Sequence, residues 1–576
     1  MLRASVLRCR LHSCLRHPRL FSTSVSSKTN IPPRNELYEQ TGGRWLFNDA
    51  QQQDIRRINF YVIELIRVAC AAVGASSCLS IQKIAEGTFN KVFRLCFDNS
   101  QSVVARLPSS RMFGSGVSWV IASEVATMTL VRENYNISIP RVLAWSKESD
   151  ANKNTVGWPY ILMEDIDGVS LEKEWRTPEM RGTPVAELLT RVSNSMHRMT
   201  IPPFSQLGSL YFPNDLPSAP SLAAPMVFEN QVRVGPIADF MWWRSYHDEP
   251  HLDRGPWDTL EDYINAAVYM ERRAIERHRE DPSSLSYTMS SMEDLDQIER
   301  LLDKVTALSP HLQRAIESTS PFSALFMQNI LFHPDICAQN IMVPKLTAEN
   351  SVTRMKDPVF IDWQGTTVLP LAVQWCVPPI ARYDPRLFQQ DGRPLLEVRG
   401  IDEVEWPSDM DELTLSEQEV IRAEHRIATR HVRWVENFVT VQSYAHLFIL
   451  PLQRELHFLT QGILRAVADG PNLLMLLLVD IKTVWDENSE NWGPCPYTLE
   501  ADEVQRYEQE RERQERFDAA LSRLVVRLSC THDGCVDPED YDVSMRELEC
   551  ARLEWDEETC GGPFPYEEGR WGQYLR

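Results

Sequence analysis

Hydrophobic and polar positions recur with two different periods along the chain. Between residues 80 and 166 apolar side chains occupy every second position in places, as in Phe93, Leu95 and Phe97, which is the period of half-buried β-strands. From residue 167 onwards apolar side chains recur every third or fourth position, which predicts amphipathic helices. The pattern therefore predicts an α+β protein in which a small strand-rich region precedes a large helical one.

The strand-rich region is predicted to open with a hairpin whose turn contains glycine. Ile84 leads into the tight segment Glu86–Asn90, the strand Phe93–Phe97 follows, and Ser102–Leu107 returns after a polar turn. A helix, an edge strand and a buried strand complete the region: Ser118–Glu133, Ile139–Leu143 and Tyr160–Met163.

Outside that region the periodicity predicts helices. They are Ile55–Ala75, Pro184–Met199, Trp257–Arg279, Met292–Leu308, Ser416–Ser443, Leu450–Ala468, Leu473–Trp485 and Glu503–Leu528. The last is so rich in Glu and Arg that it is predicted to be largely solvated. The chain thus divides into an N-terminal helical extension (29–79), the strand-rich region (80–166), a helical region (167–495) and a charged C-terminal extension (496–576).

Composition excludes several classes of protein. The 576 residues are 43% hydrophobic and carry a formal net charge of −22, which argues against broad nucleic-acid binding. The most prominent apolar run, Leu473–Val479, is far shorter than the ~18 residues of a membrane-spanning helix. The twelve cysteines show no framework spacing, so a reducing compartment is predicted. The spacing of Cys530, His532 and Cys535 is too irregular to favour a zinc site over unpaired thiols.

The N-terminus differs in charge from the rest of the chain. Residues 1–34 contain six arginines, one lysine and no acid, with leucines between the arginines and a serine-rich stretch at 22–27. This composition is typical of a mitochondrial transit peptide, and the alternative is a disordered basic tail. Cleavage before Thr29 would remove five arginines and Lys28 and leave a net charge of −28.

Three polar residues stand out against apolar flanks in the helical region. Asp335 is followed five residues later by Asn340, and Asp362 comes 22 residues after that. The short strands Ile341–Val343 and Val359–Ile361 are predicted to form a hairpin that brings Asn340 close to Asp362. Oxygen ligands converging beside another carboxylate are what magnesium-assisted phosphoryl transfer requires.

These motifs, in this order, resemble a known family. His333-Pro-Asp-Ile-Cys-Ala-Gln-Asn340 and Ile361-Asp-Trp363 resemble the catalytic loop and metal-binding motif of the aminoglycoside and choline phosphotransferase branch of the protein-kinase-like fold. Residues 85–95, 123–128 and 160–168 resemble its phosphate-binding hairpin, its first helix and its hinge. The resemblance covers about residues 80–370. With the transit peptide, the whole chain resembles the fungal mitochondrial group named altered inheritance of mitochondria protein 9.

The resemblance implies a two-lobed protein, with a β-rich N-lobe and a helical C-lobe with a helical C-terminal extension, that binds ATP and Mg²⁺. Asp335 would be the catalytic residue, and Asn340 and Asp362 would hold the metal. His333 would pack and hydrogen-bond beneath the loop. The nucleotide contacts would come from Gly87, Thr88, Arg106, Glu124, Met163, Glu164 and Asp165, of which the last three offer backbone groups to adenine.

Two departures from the family pattern keep the activity open. Arg106 stands where the family usually has lysine, and Gln364 stands where one branch often has an acid. An Arg fork is geometrically different from a Lys ammonium, although Arg106 could still pair with Glu124. Both departures fit an active enzyme and also a domain that binds nucleotide without transferring phosphate.

The predicted function is therefore ATP-dependent phosphorylation of a small-molecule hydroxyl in mitochondria, with the matrix favoured. One alternative is a catalytically impaired pseudokinase or scaffold needed for mitochondrial maintenance. Another is a structural factor that binds a protein partner through its C-terminal extension. The aromatic run Phe240–Trp243 could bracket a cationic acceptor such as choline, or it could belong to the core.

Overall fold

The fold was analysed in a computed structural model of the chain. It describes residues 29–109, 114–175, 183–200, 204–216, 232–243, 247, 249, 251–282, 291–319, 323–345, 357–374, 376–383, 389–390, 393–394, 398–399, 403–404, 406, 410–412, 414–439 and 450–567. The predicted transit peptide, residues 1–28, lies outside the described residues.

The N-terminal extension contains three helices and one short strand: α1 (Arg34–Tyr38), β1 (Arg44–Trp45), α2 (Asp49–Ile55) and α3 (Val62–Val73). The predicted helix Ile55–Ala75 is therefore wrong in its first turns. Ile58 is buried as its spacing indicated, but its N–H donates to Tyr38 O, and the Tyr61 N–H donates to Val156 O. Because these N–H groups bond to distant segments, the helix begins only at Val62.

A five-stranded antiparallel sheet forms the small lobe, in the order β2-β3-β4-β6-β5. Its elements are β2 (Cys78–Glu86), β3 (Asn90–Phe97), β4 (Ser102–Pro108), α4 (Val117–Asn134), β5 (Val142–Ser146) and β6 (Tyr160–Glu164). Every second residue of β3 from Lys91 onwards is buried, as the alternation predicted. The predicted edge strand is confirmed at the edge of the sheet, but it runs three residues later than expected, because its ladder with β6 starts only at Val142.

Helix α4 is buried on nearly all sides between the sheet and the helical lobe. With the preceding turn it is the one helix in the described part of the chain that is long and apolar enough to cross a membrane, yet 72% of its apolar window is buried inside the protein. That burial, and the buried carboxylate of Glu124 in its middle, fit a core helix of a folded domain.

The first half of the helical lobe mixes helices with short strands. Its elements are β7 (Val169–Ser170), α5 (Leu171–Glu174), α6 (Thr183–Met199), β8 (Ser209–Tyr211), β9 (Arg233–Gly235), α7 (Leu260–Glu280), α8 (Met292–Thr319), α9 (Ser323–Phe326), β10 (Asn329–Phe332), β11 (Ile341–Val343), β12 (Val359–Phe360), β13 (Thr367–Pro370) and α10 (Leu371–Gln374). The predicted hairpin is confirmed, since Ile341 pairs with Phe360 and Met342 with Val359.

Helix α8 is longer than the sequence predicted. The periodicity predicted an end at Leu308, but the helix continues to Thr319 with Pro310 inside it. Pro310 cannot donate to the Thr306 carbonyl, and the Ser309 hydroxyl lies 3.3 Å from that oxygen instead. The buried stripe continues through Leu312 and Ile316, so packing outweighs the proline.

The part of the chain that the structure describes after α10 is mostly helical. It comprises four two-residue strands, β14 (Gln389–Gln390), β15 (Arg393–Pro394), β16 (Val398–Arg399) and β17 (Glu403–Val404), followed by α11 (Leu415–Val439), α12 (Gln453–Ile463), α13 (Ala466–Asp469), α14 (Asn472–Glu487), α15 (Ser489–Trp492), α16 (Ala501–Leu528), β18 (Cys535–Val536), α17 (Tyr541–Glu554) and α18 (Glu557–Cys560). The predicted end of α11 at Ser443 lies outside the described residues. The predicted helix Leu450–Ala468 is wrong in being continuous, because the Val467 N–H that would extend α12 donates to the Glu271 carboxylate instead.

The C-terminal extension folds back onto the N-terminal extension. Strand β18 pairs with β1, and Leu46 and Phe47 share a buried cluster with Leu524 and Leu528 of α16. The Phe47 ring also stacks on Tyr566, with the ring centroids 5.5 Å apart. The apolar side of α16 thus packs against other parts of the chain, and its charged side remains at the surface.

Candidate functional site

The loop after β10 is held by a buried histidine. The Asp335 N–H donates to His333 Nδ1 at 3.1 Å, so His333 Nε2 carries the proton and donates to Ile361 O at 3.1 Å. Burial lowers the pKa of His333, which favours this neutral ring. His333 therefore ties the Asp335 loop to the residue before Asp362. This is the packing role that the resemblance implied, and Trp363 supports it with an edge-on ring contact at 4.5 Å.

Asp335 and Asn340 are directly bonded across this loop. The Asn340 side-chain amide donates to Asp335 Oδ2 at 2.9 Å and to the Asp335 carbonyl at 3.1 Å. The Asn340 carbonyl in turn accepts from the Ile361 N–H at 3.0 Å. The structure therefore brings Asp335, Asn340 and the segment of Asp362 together.

Asp362 has an unusual backbone conformation and an accessible side chain. Its φ is +62°, in the left-handed region that aspartate tolerates better than most residues. The side chain is 43% exposed, and its Oδ1 accepts from Arg106 Nη1 at 2.8 Å. One carboxylate oxygen is thus fixed by the protein, while the group as a whole faces solvent.

Arg106 joins the two lobes through two carboxylates. Its Nη2 contacts Glu124 Oε2 and its Nη1 contacts Asp362 Oδ1. Both Arg106 and Glu124 are almost fully buried. Burial raises the pKa of the Glu124 carboxyl, and the Arg106 guanidinium opposes the rise. The pairing with Glu124 was anticipated from the sequence, but the link to Asp362 was not. Because both terminal nitrogens of Arg106 are occupied, its guanidinium orients the Asp362 carboxylate.

The glycine turn between β2 and β3 is connected to the segment that follows Asp362. The Gly87 N–H donates to Asn90 O at 2.9 Å, and a Cβ built on Gly87 would meet nothing within 4 Å. Thr88 is half-buried in the same turn. The Asn90 side-chain amide donates to Gln364 Oε1 at 3.0 Å. Gln364, which departs from the family pattern, therefore ties the turn to the segment of Asp362.

The base of this turn is fixed by a second cluster that the sequence did not reveal. Glu86 contacts the ammonium groups of Lys83 and Lys91 at 2.6 and 3.1 Å. The same carboxylate accepts from the backbone N–H groups of Thr41 and Gly42. The N-terminal extension thus supports the glycine turn directly. The sequence places Lys83, Glu86 and Lys91 close together, but it does not indicate Thr41 and Gly42 as their partners.

The predicted hinge has its side chains already engaged. Met163 is buried. Glu164 accepts from the Arg141 N–H at 3.2 Å, and Asp165 accepts from Arg94 and from the Ser102 hydroxyl. These side chains stabilise the sheet, so a base could be bound here only by backbone groups.

The donor set fits a magnesium ion better than a softer metal. The oxygens available beside Asp335 are those of the Asp362 carboxylate and the Asn340 amide, and Mg²⁺ prefers such hard ligands together with substrate phosphate oxygens and water. Within the described ranges no group of three or more His, Cys, Asp or Glu forms a metal cage. Asn340 and Asp362 would supply two oxygen ligands, and the phosphates of a nucleotide and water molecules would supply the others.

The aromatic run Phe240–Trp243 is mainly core. It forms a short 3₁₀ helix in which Trp242 and Trp243 are buried, and the Trp242 ring lies 5.0 Å from that of Trp257. The Arg254 guanidinium already lies 3.9 Å from the Trp243 ring centroid, so these buried tryptophans are not placed to bracket a cationic acceptor. Phe240 instead contacts Phe89 of the glycine turn, with centroids 5.1 Å apart.

The architecture and the site together define a two-lobed, protein-kinase-like fold. The sheet order, the buried Arg106–Glu124 pair and the hairpin carrying Asn340 and Asp362 are the features that do so. No protein-family profile matches the chain.

Individual proteins are nevertheless similar to it. A subtelomeric hrmA-associated cluster protein of Aspergillus fumigatus is 26% identical over 533 residues, which cover 85% of this chain and 97% of that protein. Proteins named altered inheritance of mitochondria protein 9, mitochondrial, are 29% identical in Yarrowia lipolytica, over 44% of this chain and 46% of that protein, and 24% identical in Clavispora lusitaniae, over 59% and 62%. The resemblance to that group is thereby confirmed.

Two solved structures are also similar, each at 12% identity. One is a Thermobifida fusca protein described as a fructosamine-3-kinase, with a TM-score of 0.37 over 74% of this chain and 100% of that one. The other is a type I macrolide 2'-phosphotransferase, with a TM-score of 0.27 over 68% of this chain and 99% of that one.

Proposed function

We propose that this protein transfers the γ-phosphoryl group of ATP to a hydroxyl of a small molecule, with Mg²⁺. The observation that carries the proposal is the convergence of Asp335, Asn340 and Asp362, with Asp362 oriented by Arg106 from the other lobe. Phosphoryl transfer is catalysed mainly by positioning and charge neutralisation, and an arrangement of this kind supplies both.

In the proposed reaction the acceptor oxygen forms a bond to the γ-phosphorus. The bond from that phosphorus to the β–γ bridging oxygen breaks, and ADP leaves. Asp335, whose Oδ2 is held by the Asn340 amide, takes the acceptor proton through its other oxygen. Asn340 and Asp362 would hold the magnesium, which when bound neutralises the charge on the phosphates. Arg106 and Glu124 act by fixing the position of Asp362.

We place this activity in mitochondria. The support is the acid-free, Arg- and Ser-rich composition of residues 1–28 and the names of the relatives in Yarrowia lipolytica and Clavispora lusitaniae, which are called mitochondrial. We expect the protein to be imported with loss of residues 1–28, which is detected as a shortened chain in isolated mitochondria. A chain that stays full-length in the cytosol would contradict the placement.

The test of the activity is ADP release by the purified chain with ATP, Mg²⁺ and a panel of hydroxylated metabolites. We expect Asp335→Asn to reduce acceptor-dependent turnover by at least 100-fold, within the ~10²–10⁴-fold range of general base catalysis. Asp357→Asn is the matched control, because this exposed aspartate precedes β12 and pairs with Arg191 rather than with a residue of the site. Equal turnover by wild type and Asp335→Asn would refute the proposed role of Asp335.

A second candidate is a nucleotide-binding scaffold that no longer transfers phosphate. The observation that favours it is the Arg106 fork, whose two terminal nitrogens are both occupied by carboxylates rather than open to a phosphate. Nucleotide binding that survives Asp335→Asn, together with no ADP release above background by wild type, would favour the scaffold over the enzyme.

A further inference from the structure

A short segment after α10 is fixed against the Asp335 loop. The Ile380 N–H donates to Ile336 O, the residue after Asp335, at 3.1 Å, and the Ala381 N–H closes a turn onto Pro378 O at 2.8 Å. His431 from α11 adds a contact to Ala381 O at 3.2 Å. The position of residue 382 relative to Asp335 is therefore set by the backbone.

Arg382 lies in this segment and is exposed. Its Nε donates to Val377 O at 3.3 Å and its Nη2 lies 3.8 Å from Cys376 Sγ. Among the residues that the structure describes, no carboxylate pairs with it, whereas Arg106 contacts two. A guanidinium held by a carbonyl and a thiol keeps its charge and part of its fork for a ligand.

Arg382 and the catalytic aspartate share a neighbour, the Cys376 thiol. Burial raises the pKa of the Cys376 thiol, and the Arg382 cation opposes that rise while the Asp335 carboxylate adds to it. Both charged groups therefore act on one sulfur atom. Cys337, two residues after Asp335, places its Sγ 3.5 Å from Asp335 Oδ2.

We propose that Arg382 binds an anionic group of the acceptor, so that the substrate is a hydroxylated carboxylate or phosphate ester. The inference rests on the proposed function, since it specifies the acceptor for the same site. A planar guanidinium binds either anion through two parallel hydrogen bonds. In a chain of net charge −22, an accessible arginine with no acidic partner among the described residues is a specific attraction for an anion beside the catalytic residue.

The experiment compares four acceptors that differ in charge: glycerate, glycerol 3-phosphate, glycerol and choline. ADP release by the full-length chain is measured with ATP and Mg²⁺. We expect kcat/KM for glycerate or glycerol 3-phosphate to exceed that for glycerol and choline by at least tenfold, and the better of the two anions identifies the anionic group. Arg382→Met should lower the anion's kcat/KM by about 10- to 100-fold, mainly through KM, as expected for loss of a charged hydrogen bond. Arg382→Lys should recover part of it.

Controls separate this inference from the proposed function. Arg272→Met removes a half-buried arginine that pairs with Asp303 on α8 and should leave kcat/KM unchanged for all four acceptors. Binding of Mg-ATP is measured separately by calorimetry, and its absence would refute the proposed function itself. Two results would overturn the role of Arg382 alone while Mg-ATP binding stays normal. One is no preference for either anionic acceptor, and the other is equal kinetics for wild type and Arg382→Met.

Discussion

Replacing His333 by leucine tests whether one buried ring holds the two halves of the site. The change keeps an apolar side chain of similar reach beside Trp363 but removes the acceptor for the Asp335 N–H and the donor to Ile361 O. Each lost hydrogen bond costs about 1 kcal/mol, or more where a buried partner stays unsatisfied. We therefore expect the free energy of unfolding to fall by about 2–3 kcal/mol at pH 7.5, and turnover to fall as well because Asp335 is no longer fixed.

The pH dependence of this cost has a definite sign. The ordinary pKa of histidine is 6.5 and burial lowers it in folded His333, so the unfolded chain binds a proton there that the folded protein rejects. The stability that His333 contributes is present above pH 6.5 and is lost as the pH falls towards the lowered folded pKa. At 1.36 kcal/mol per pH unit, the wild type loses up to about 2 kcal/mol at pH 5 through this one group. His333→Leu does not.

The assay is urea unfolding of both proteins at pH 7.5 and pH 5. The difference between wild type and His333→Leu should be about 2–3 kcal/mol at pH 7.5 and smaller at pH 5. His311→Leu, on the exposed side of α8, should show no such convergence. A difference that is unchanged or larger at pH 5 would refute the assignment of His333 as a neutral, doubly bonded ring.

Three further predictions concern the contacts around the site. Arg106→Met should lower the free energy of unfolding by about 3–5 kcal/mol because it leaves Glu124 buried and unpaired. In a double-mutant cycle, Arg106→Met combined with Glu124→Leu should recover most of that loss. Additive losses would contradict the pairing. Glu86→Gln should lower the melting temperature and weaken nucleotide binding, because the carboxylate links Lys83 and Lys91 to the N-terminal extension. Both effects are measured by thermal shift with and without ATP. Unchanged values would mean that the cluster does not support the turn. Phe47→Ala should lower the free energy of urea unfolding by about 3–5 kcal/mol, since the ring is buried against the C-terminal extension. A loss below about 1 kcal/mol would show that the two extensions do not pack against each other in solution.

The sequence predicted what depends on local spacing. The hairpin of Ile341 and Phe360 was predictable because two short apolar runs with a polar run between them have few alternatives. The packing role of His333 came from motif resemblance, and the buried strand Tyr160–Met163 came from its apolar run. Each of these depends on neighbours within a few tens of residues.

The sequence did not predict contacts between distant segments. The bond from Arg106 to Asp362 joins residues 256 positions apart, and the strand pair of Trp45 with Cys535 joins the two ends of the chain. Neither segment carries a periodicity that specifies its partner. Pro310 illustrates the opposite error, because a strong local signal to end the helix is outweighed by continued burial of Leu312 and Ile316.

The central claim is that Asp362, with Asn340, holds the magnesium of a bound nucleotide, and calorimetric titration of ATP with and without Mg²⁺ tests it most directly. We expect Mg²⁺ to tighten ATP binding at least tenfold in wild type and in the control Asp357→Asn. That gain should disappear in Asp362→Asn, which removes the charge and keeps the shape. ATP binding that is equally strong with and without Mg²⁺, or a gain that persists in Asp362→Asn, would contradict the account.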